Sequence, residues 1–263
     1  MITNKNNAVY RIAVVSLRDF YRFLKYKWWI AGLMAANLAD LFVFAFLISG
    51  LVRKEIIPNY FLFLAPGIAA IAAFASAFTI GREVMMELRR EVHLYLLSLP
   101  LSRIELAFGR VLGGVLRGLI YQTPILIAVL MVTGVDKPHL LPLLFLTSVL
   151  LTASMSSFSI ALSTLTKNLD VHVTIRSIVY FFFFFLSTVF YPPQALSARF
   201  PQVLVTLAEN NPVSLAADIY RYTLLPQELA PAREPLELFV KLFILSVVMI
   251  FVGTYFYLRN LRR

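Results

Sequence analysis

A chain of 263 residues that is 60% hydrophobic and only 14% charged, with a mean hydropathy of +0.79, falls well short of the quarter or so of charged residues usual in a soluble globule. It is read as an integral membrane protein. The formal charge of +10 does not point to nucleic acid, because the basic residues sit in short clusters beside apolar runs, where lipid headgroups and cytosolic placement account for them. The absence of cysteine excludes disulfides, Cys-ligated metals and thiol catalysis.

The first 27 residues hold six Lys and Arg and no small-residue cleavage pattern, so no cleavable leader is expected in them. Arg11, Arg18, Arg22 and Lys25 recur at helical spacing on one face, with Ala13, Leu17, Phe20, Leu24 and Trp28 opposite. That pattern predicts an amphipathic helix lying in the membrane interface over 1–27; a flexible basic leader is the alternative.

A membrane-crossing helix needs about 20 mainly apolar residues. Six such spans are expected, near 28–51, 60–80, 109–133, 140–165, 171–191 and 236–258. Six spans put both termini on one side, and sixteen of the 24 Lys and Arg fall there against six opposite, with Arg117 and Lys241 inside spans. The excess of positive charge places both termini in the cytoplasm of a multi-pass plasma-membrane protein.

The first span contains Asn37 and Asp40. An ionisable group at that depth costs at least about 2.5 kcal/mol unless paired or hydrated. Asp40 is therefore expected to face the bundle interior or a translocation path, with a structural hydrogen bond as an equal alternative. Between the second and third spans lies the most charged internal stretch, 81–110. Residues 82–99 lack Gly and Pro and are expected to form a helix. Val84, Leu88, Val92, Tyr95 and Leu99 make an apolar ridge for the membrane domain. Glu83, Glu87 and Glu91 make an acidic ridge, flanked by Arg82, Arg89 and Arg90, for a cytosolic protein. A solvated connecting helix is the bland reading of the same residues.

The fifth span carries five consecutive phenylalanines, which must point all round a helix. Tyr180, Phe184 and Tyr191, on one face at spacings of 4 and 7, are candidate lining residues of a path; bulk packing is the default. The outer segment 192–235 has apolar pieces too short to span, and short re-entrant or surface helices broken at Pro201 and Pro212 are expected. No soluble domain, internal repeat or catalytic residue is read. The sequence has no GxxxxGK[ST] phosphate loop, no HExxH pair, no DDxxD or GxSxG pattern, and His93, His139 and His172 are scattered. Neither a metal nor a bound cofactor is expected on this chain.

The stretch "RREVHLYLLSLPLSRIELAFGRVLGG" (89–114) resembles the E-x-G-T-L-x-x-L-L-x-x-P-[VLI]-S-R…G-[KR] pattern of ABC-2 transporter permeases. Glu91, Leu94, Leu97, Pro100, Ser102, Arg103, Gly109 and Arg110 fall on its positions, and Val92-His93 stand where Gly-Thr is common. "NPVSLAADIYR" (211–221) is similar to the family's N-P-[LV]-[ST]…R segment, carried by Asn211, Pro212, Ser214 and Arg221.

The resemblance implies one all-α transmembrane domain over 1–263, with six transmembrane helices. It adds an N-terminal interfacial helix, a cytoplasmic coupling helix at 82–99 and outer re-entrant helices at 192–235 before the last span. It also implies a partner ABC ATPase in two copies, which would hold ATP and Mg, and a second permease copy, usually joined through the first and fifth spans. Contact with the ATPase falls on Glu83, Glu87, Arg90, Glu91, His93, Tyr95 and Leu97, and secondarily on Arg18, Arg22 and Lys25. The expected activity is ATP-driven export of an amphiphile: a drug, a lipid, or a lipid-linked glycan or polysaccharide. The R-Y-[RK]-x-[ST]-x-L-G-x-x-W pattern of many polysaccharide permeases is absent before the first span. An ATP-independent channel or carrier is the alternative, and a membrane enzyme the more distant one.

Overall fold

The computed structural model describes residues 7–49, 57, 59–166, 168–227, 229–231 and 233–261. Lys5, Arg53, Lys54, Lys167, Arg262 and Arg263, counted above for orientation, lie outside them, as does the side chain of Asp40. The described chain is all helical, with no strand among those residues.

Helix α1 (Ala8–Lys25) is capped by Asn7, whose side chain accepts from the Val9 amide. It stops at Tyr26, which leaves helical angles at φ −90, ψ 48, and α2 (Lys27–Ser49) begins at once. After Asn59, which caps through the Leu62 amide, α3 (Tyr60–Phe78) runs into α4 (Ile80–Arg89) through Thr79, which keeps helical angles. The short α5 (Val92–Ser98) follows. A capping box then starts α6 (Arg103–Thr133): the Ser102 hydroxyl accepts from the Glu105 amide, and the Glu105 carboxylate accepts from the Ser102 amide. A single 3-10 turn at Pro138–Leu140 leads into α7 (Leu141–Leu165). Next come α8 (Leu169–Phe185), then α9 (Pro193–Ser197), α10 (Gln202–Glu209) and α11 (Pro212–Leu224), and finally α12 (Pro235–Asn260).

Four runs among the described residues are long and apolar enough to cross a membrane: Tyr60–Arg89, Arg103–Thr133, Pro138–Leu165 and Pro235–Asn260. In the apolar window of the first, 89% of residues are buried within the protein, against 22% for the last. Thus α3 is the core helix and α12 faces outward, a division that suits lipid around α12. Helix α8 is about 25 Å long at its usual rise, under the roughly 30 Å of a hydrocarbon core.

Helix α7 is the hub. Its small hydroxyl residues face glycines of its neighbours: Ser159 meets Gly81, Ser156 meets Gly114, Thr152 meets Gly118 and Ser157 meets Gly253. A methyl group at any of these glycines would collide with the facing residue, so the backbones approach more closely than larger side chains allow. The serine hydroxyls reach carbonyls across the gap, Ser159 donating to Phe78 at 2.5 Å and Ser157 to Ile250 at 3.2 Å, while Thr152 donates back to Ser148 of its own helix at 2.7 Å.

Two sequence expectations need correction here. The helix expected over 82–99 is broken at Arg90–Glu91. There Glu91 sits in the left-handed region at φ 55, so α5 leaves in a new direction and the apolar ridge does not continue: Val84 is buried while Tyr95 and Leu99 are exposed. Helix α8, expected as the fifth span, ends at Phe185, and Tyr191 lies beyond it in a bend, off the face shared by Tyr180 and Phe184. The cause is Asn211, whose amide donates to the carbonyls of Phe183 at 2.9 Å and Leu186 at 2.5 Å, drawing off acceptors a longer helix would use.

Candidate functional site

Helix α1 lies along the first turns of α6 because α6 offers a glycine groove. A Cβ on Gly109 would stand 2.6 Å from the Cβ of Val15, and one on Gly113 would stand 3.0 Å from the Cβ of Asp19. With the backbones this close, charged groups of three helices converge. Arg11 donates to Glu105 at 2.6 Å. Arg110 donates through Nη1 to both carboxylate oxygens of Asp19 at 3.0 Å and through Nη2 to Glu87. Glu87 also accepts from Arg18 and Arg22 of α1. Two turns further along α6, Arg117 forms a two-pronged pair with Glu83 at 2.6 and 2.7 Å, donates to the Asp19 carbonyl, and lies over the Phe23 ring at 5.4 Å.

Asp19, Arg110 and Arg117 are essentially inaccessible. Burial pushes the Asp19 carboxyl above the usual carboxylate range, while Arg110, Arg18 and Arg117 pull against it. Such a cluster holds together only as a set, because removing one partner strands a buried charge at a cost of about 3–5 kcal/mol. Through Glu83 and Glu87 it fixes α4 to α1 and α6, and α4 carries α5 at its end.

The acidic ridge expected to face outward is therefore divided. Glu83 and Glu87 turn inward, drawn by arginines of α1 and α6, and only Glu91 of the three is exposed. Around it Arg90 and Tyr95 are exposed, Tyr95 at 66%. His93 and Leu97 are half-buried, and Lys25 is exposed apart from the cluster. Pro100 and Arg103 flank the entry to α6, on its exposed side.

At the opposite end, α11 is fastened to the interrupted ends of other helices. Asn211 caps α11 through the Val213 amide while holding the end of α8, and Pro212 occupies the first helical position, where its missing N–H costs nothing. Ser214 accepts from the Thr188 amide at 2.9 Å. Buried Arg221 pairs with Asp218 at 2.8 Å, donates to the carbonyls of Phe63 at 2.9 Å and Val189 at 2.8 Å, and covers the Phe63 ring at 3.7 Å.

The candidate path residues are mostly packed. Tyr180 stacks on Phe74 at 5.0 Å and on Phe184 at 5.9 Å, and Phe184 is buried. Tyr191 is exposed. Asn37 is buried and donates to the Tyr121 hydroxyl at 2.8 Å, tying α2 to α6. A second polar chain runs from Gln122 through the Tyr220 hydroxyl to Ser148. No group of three His, Cys, Asp or Glu that could hold a metal occurs among the described residues.

Sequence reasoning missed Asp19, Glu105, Arg117 and Asp218 as site residues. A usable signal existed for Arg117, since an arginine seven residues after Arg110 on an apolar helix requires a buried partner. The chain is similar to the family model described as ABC-2 type transporter, which matches residues 10–225. No curated protein matches it.

Proposed function

The chain belongs to the ABC-2 type transporter family as a membrane permease component, and from that premise we propose that it is the permease of an ATP-driven exporter. As a family member it is a transport subunit rather than a catalyst and works with an ATPase subunit in the membrane. Our reading adds six spans with cytoplasmic termini, a pair of permease copies, and two ATPases that hold the ATP and Mg. The cargo is an amphiphile: a drug, a lipid, or a lipid-linked glycan or polysaccharide.

The observation that carries this reading is the buried ion cluster joining α1, α4 and α6. A force applied to α5 reaches α4 directly, and the cluster passes it to the interfacial helix and to the start of α6. The docking face is α5 with its flanks: Arg90, Glu91, Tyr95 and the adjoining His93 and Leu97. Glu83 and Glu87 act behind it as transmitters, and Arg18 and Arg22 receive. Closure of the ATPases would then shift the permease between two packings, opening a path between copies. The exposed apolar residues of α8, Ile178, Phe181 and Phe185, suit the joining of two copies.

The test is purification of the tagged full-length chain from its native membrane. An ATPase with a phosphate loop should co-purify, and its hydrolysis should depend on α5. Recovery of the permease without any ATPase, together with transport in ATP-free vesicles, would favour a channel or carrier instead.

A further inference from the structure

Where α4, α7 and α12 end together lies a cavity of about 430 Å³. Its walls divide by chemistry. Leu88, Leu165 and Phe256 give it an apolar side, while Arg89 and Arg259 bring two guanidiniums to it, and no Asp or Glu lines it. Neither arginine has an ion-pair partner among the described residues, and both are exposed.

Cations at helix C-termini often serve only to complement the terminal carbonyls. Here several of those carbonyls have other donors: the Arg90 and Glu91 amides take Met86 and Leu88 of α4 at 3.1 and 3.3 Å, the Leu261 amide takes Tyr257 of α12 at 3.0 Å, and the Thr166 hydroxyl and Asn260 amide take Leu162 and Thr164 of α7 at 3.2 and 3.3 Å. The two guanidiniums are left with unused donors beside an apolar wall.

We propose that this cavity binds the phosphate of an anionic lipid headgroup from the cytoplasmic leaflet. The guanidiniums hold the phosphate by charge-assisted hydrogen bonds, and the apolar wall receives the start of an acyl chain. A free phosphate would satisfy the arginines but leave that wall bare. The site adjoins the joint between α4 and α5, so a bound headgroup braces the segment that meets the ATPase. The leaflet rests on the proposed cytoplasmic termini.

The test is native mass spectrometry of the full-length chain with phosphatidylglycerol, with phosphatidylcholine as the neutral control and glycerol phosphate as soluble competitor. Retention of phosphatidylglycerol over phosphatidylcholine is expected. It should fall roughly tenfold or more in Arg89→Gln/Arg259→Gln, in line with the loss of two charges at a membrane surface, and stay unchanged in Arg199→Gln. An unchanged preference in the double variant overturns the proposal. Displacement by glycerol phosphate at matched concentration overturns its lipid part and leaves a site for soluble phosphate. Labelling of Ser98→Cys, in a chain otherwise free of cysteine, separates the two readings: reaction from the cytoplasm supports the leaflet, and reaction only from outside overturns the orientation.

Discussion

The two ends of this protein are fastened by different chemistry. At the α1–α4–α6 end, side chain meets side chain: three carboxylates and four arginines share partners across helices. At the α11 end, side chain meets backbone: Asn211 and Arg221 hold carbonyls at the end of α8, in the turn after it and in α3. Ion pairs from Arg18 and Arg22 to Glu87 hold α1 and α4 together, while Arg110 of α6, with both Asp19 and Glu87 in reach, keeps a carboxylate as α6 shifts against that pair. A carbonyl at a broken helix end has no such substitute once its donor leaves. The first arrangement suits a joint, and the second suits an anchor.

The comparison is broken most severely at the anchor. Arg221→Met should lower stability by about 3–5 kcal/mol, since it strands Asp218 and two buried carbonyls together; the midpoint of thermal unfolding in detergent measures it. A variant as stable as the parent would remove the distinction between anchor and joint. Gly109→Leu comes next. With the Val15 Cβ only 2.6 Å from a Cβ built there, overpacking should cost about 1–3 kcal/mol and displace α1. Faster protease cleavage within residues 8–25 reports that displacement. Tyr95→Ala should change stability by no more than about 0.5 kcal/mol, because the side chain is exposed. It should nonetheless weaken ATPase binding, measurable by titration of purified ATPase onto the permease, and that combination separates a docking residue from a structural one.

Much of the architecture was legible because it follows from local pattern. The two-faced spacing of residues 8–25 is visible without any partner, and so are the long apolar runs that became α3, α6, α7 and α12. The ABC-2 resemblance was legible because its residues are local: Pro100 and Ser102 at the entry to α6, Asn211 and Pro212 at the start of α11. What could not be read depended on distant neighbours. Glu83 and Glu87 look like an outward ridge on their own helix; they turn inward because Arg18 and Arg22 approach from about 65–70 residues away in sequence, and Arg117 from the next long helix. Helix α8 reads as continuing to Tyr191 until Asn211 takes its terminal carbonyls. The break at Glu91 was hardest, since a non-glycine left-handed residue leaves little trace in sequence.

The central claim is that α5, α4 and α1 move as one body when the ATPase closes. Spin labels on Val9→Cys and Ser98→Cys, both exposed positions in a chain without native cysteine, allow that distance to be measured by pulsed electron resonance. The complex would be compared without nucleotide and trapped with ATP and vanadate. The separation between residues 9 and 98 should stay the same in both states while that between 98 and Val203→Cys on α10 changes, and Glu87→Gln should release the first separation. A 9–98 distance that shifts on trapping in the otherwise native chain, or that Glu87→Gln leaves untouched in both states, would contradict the claim.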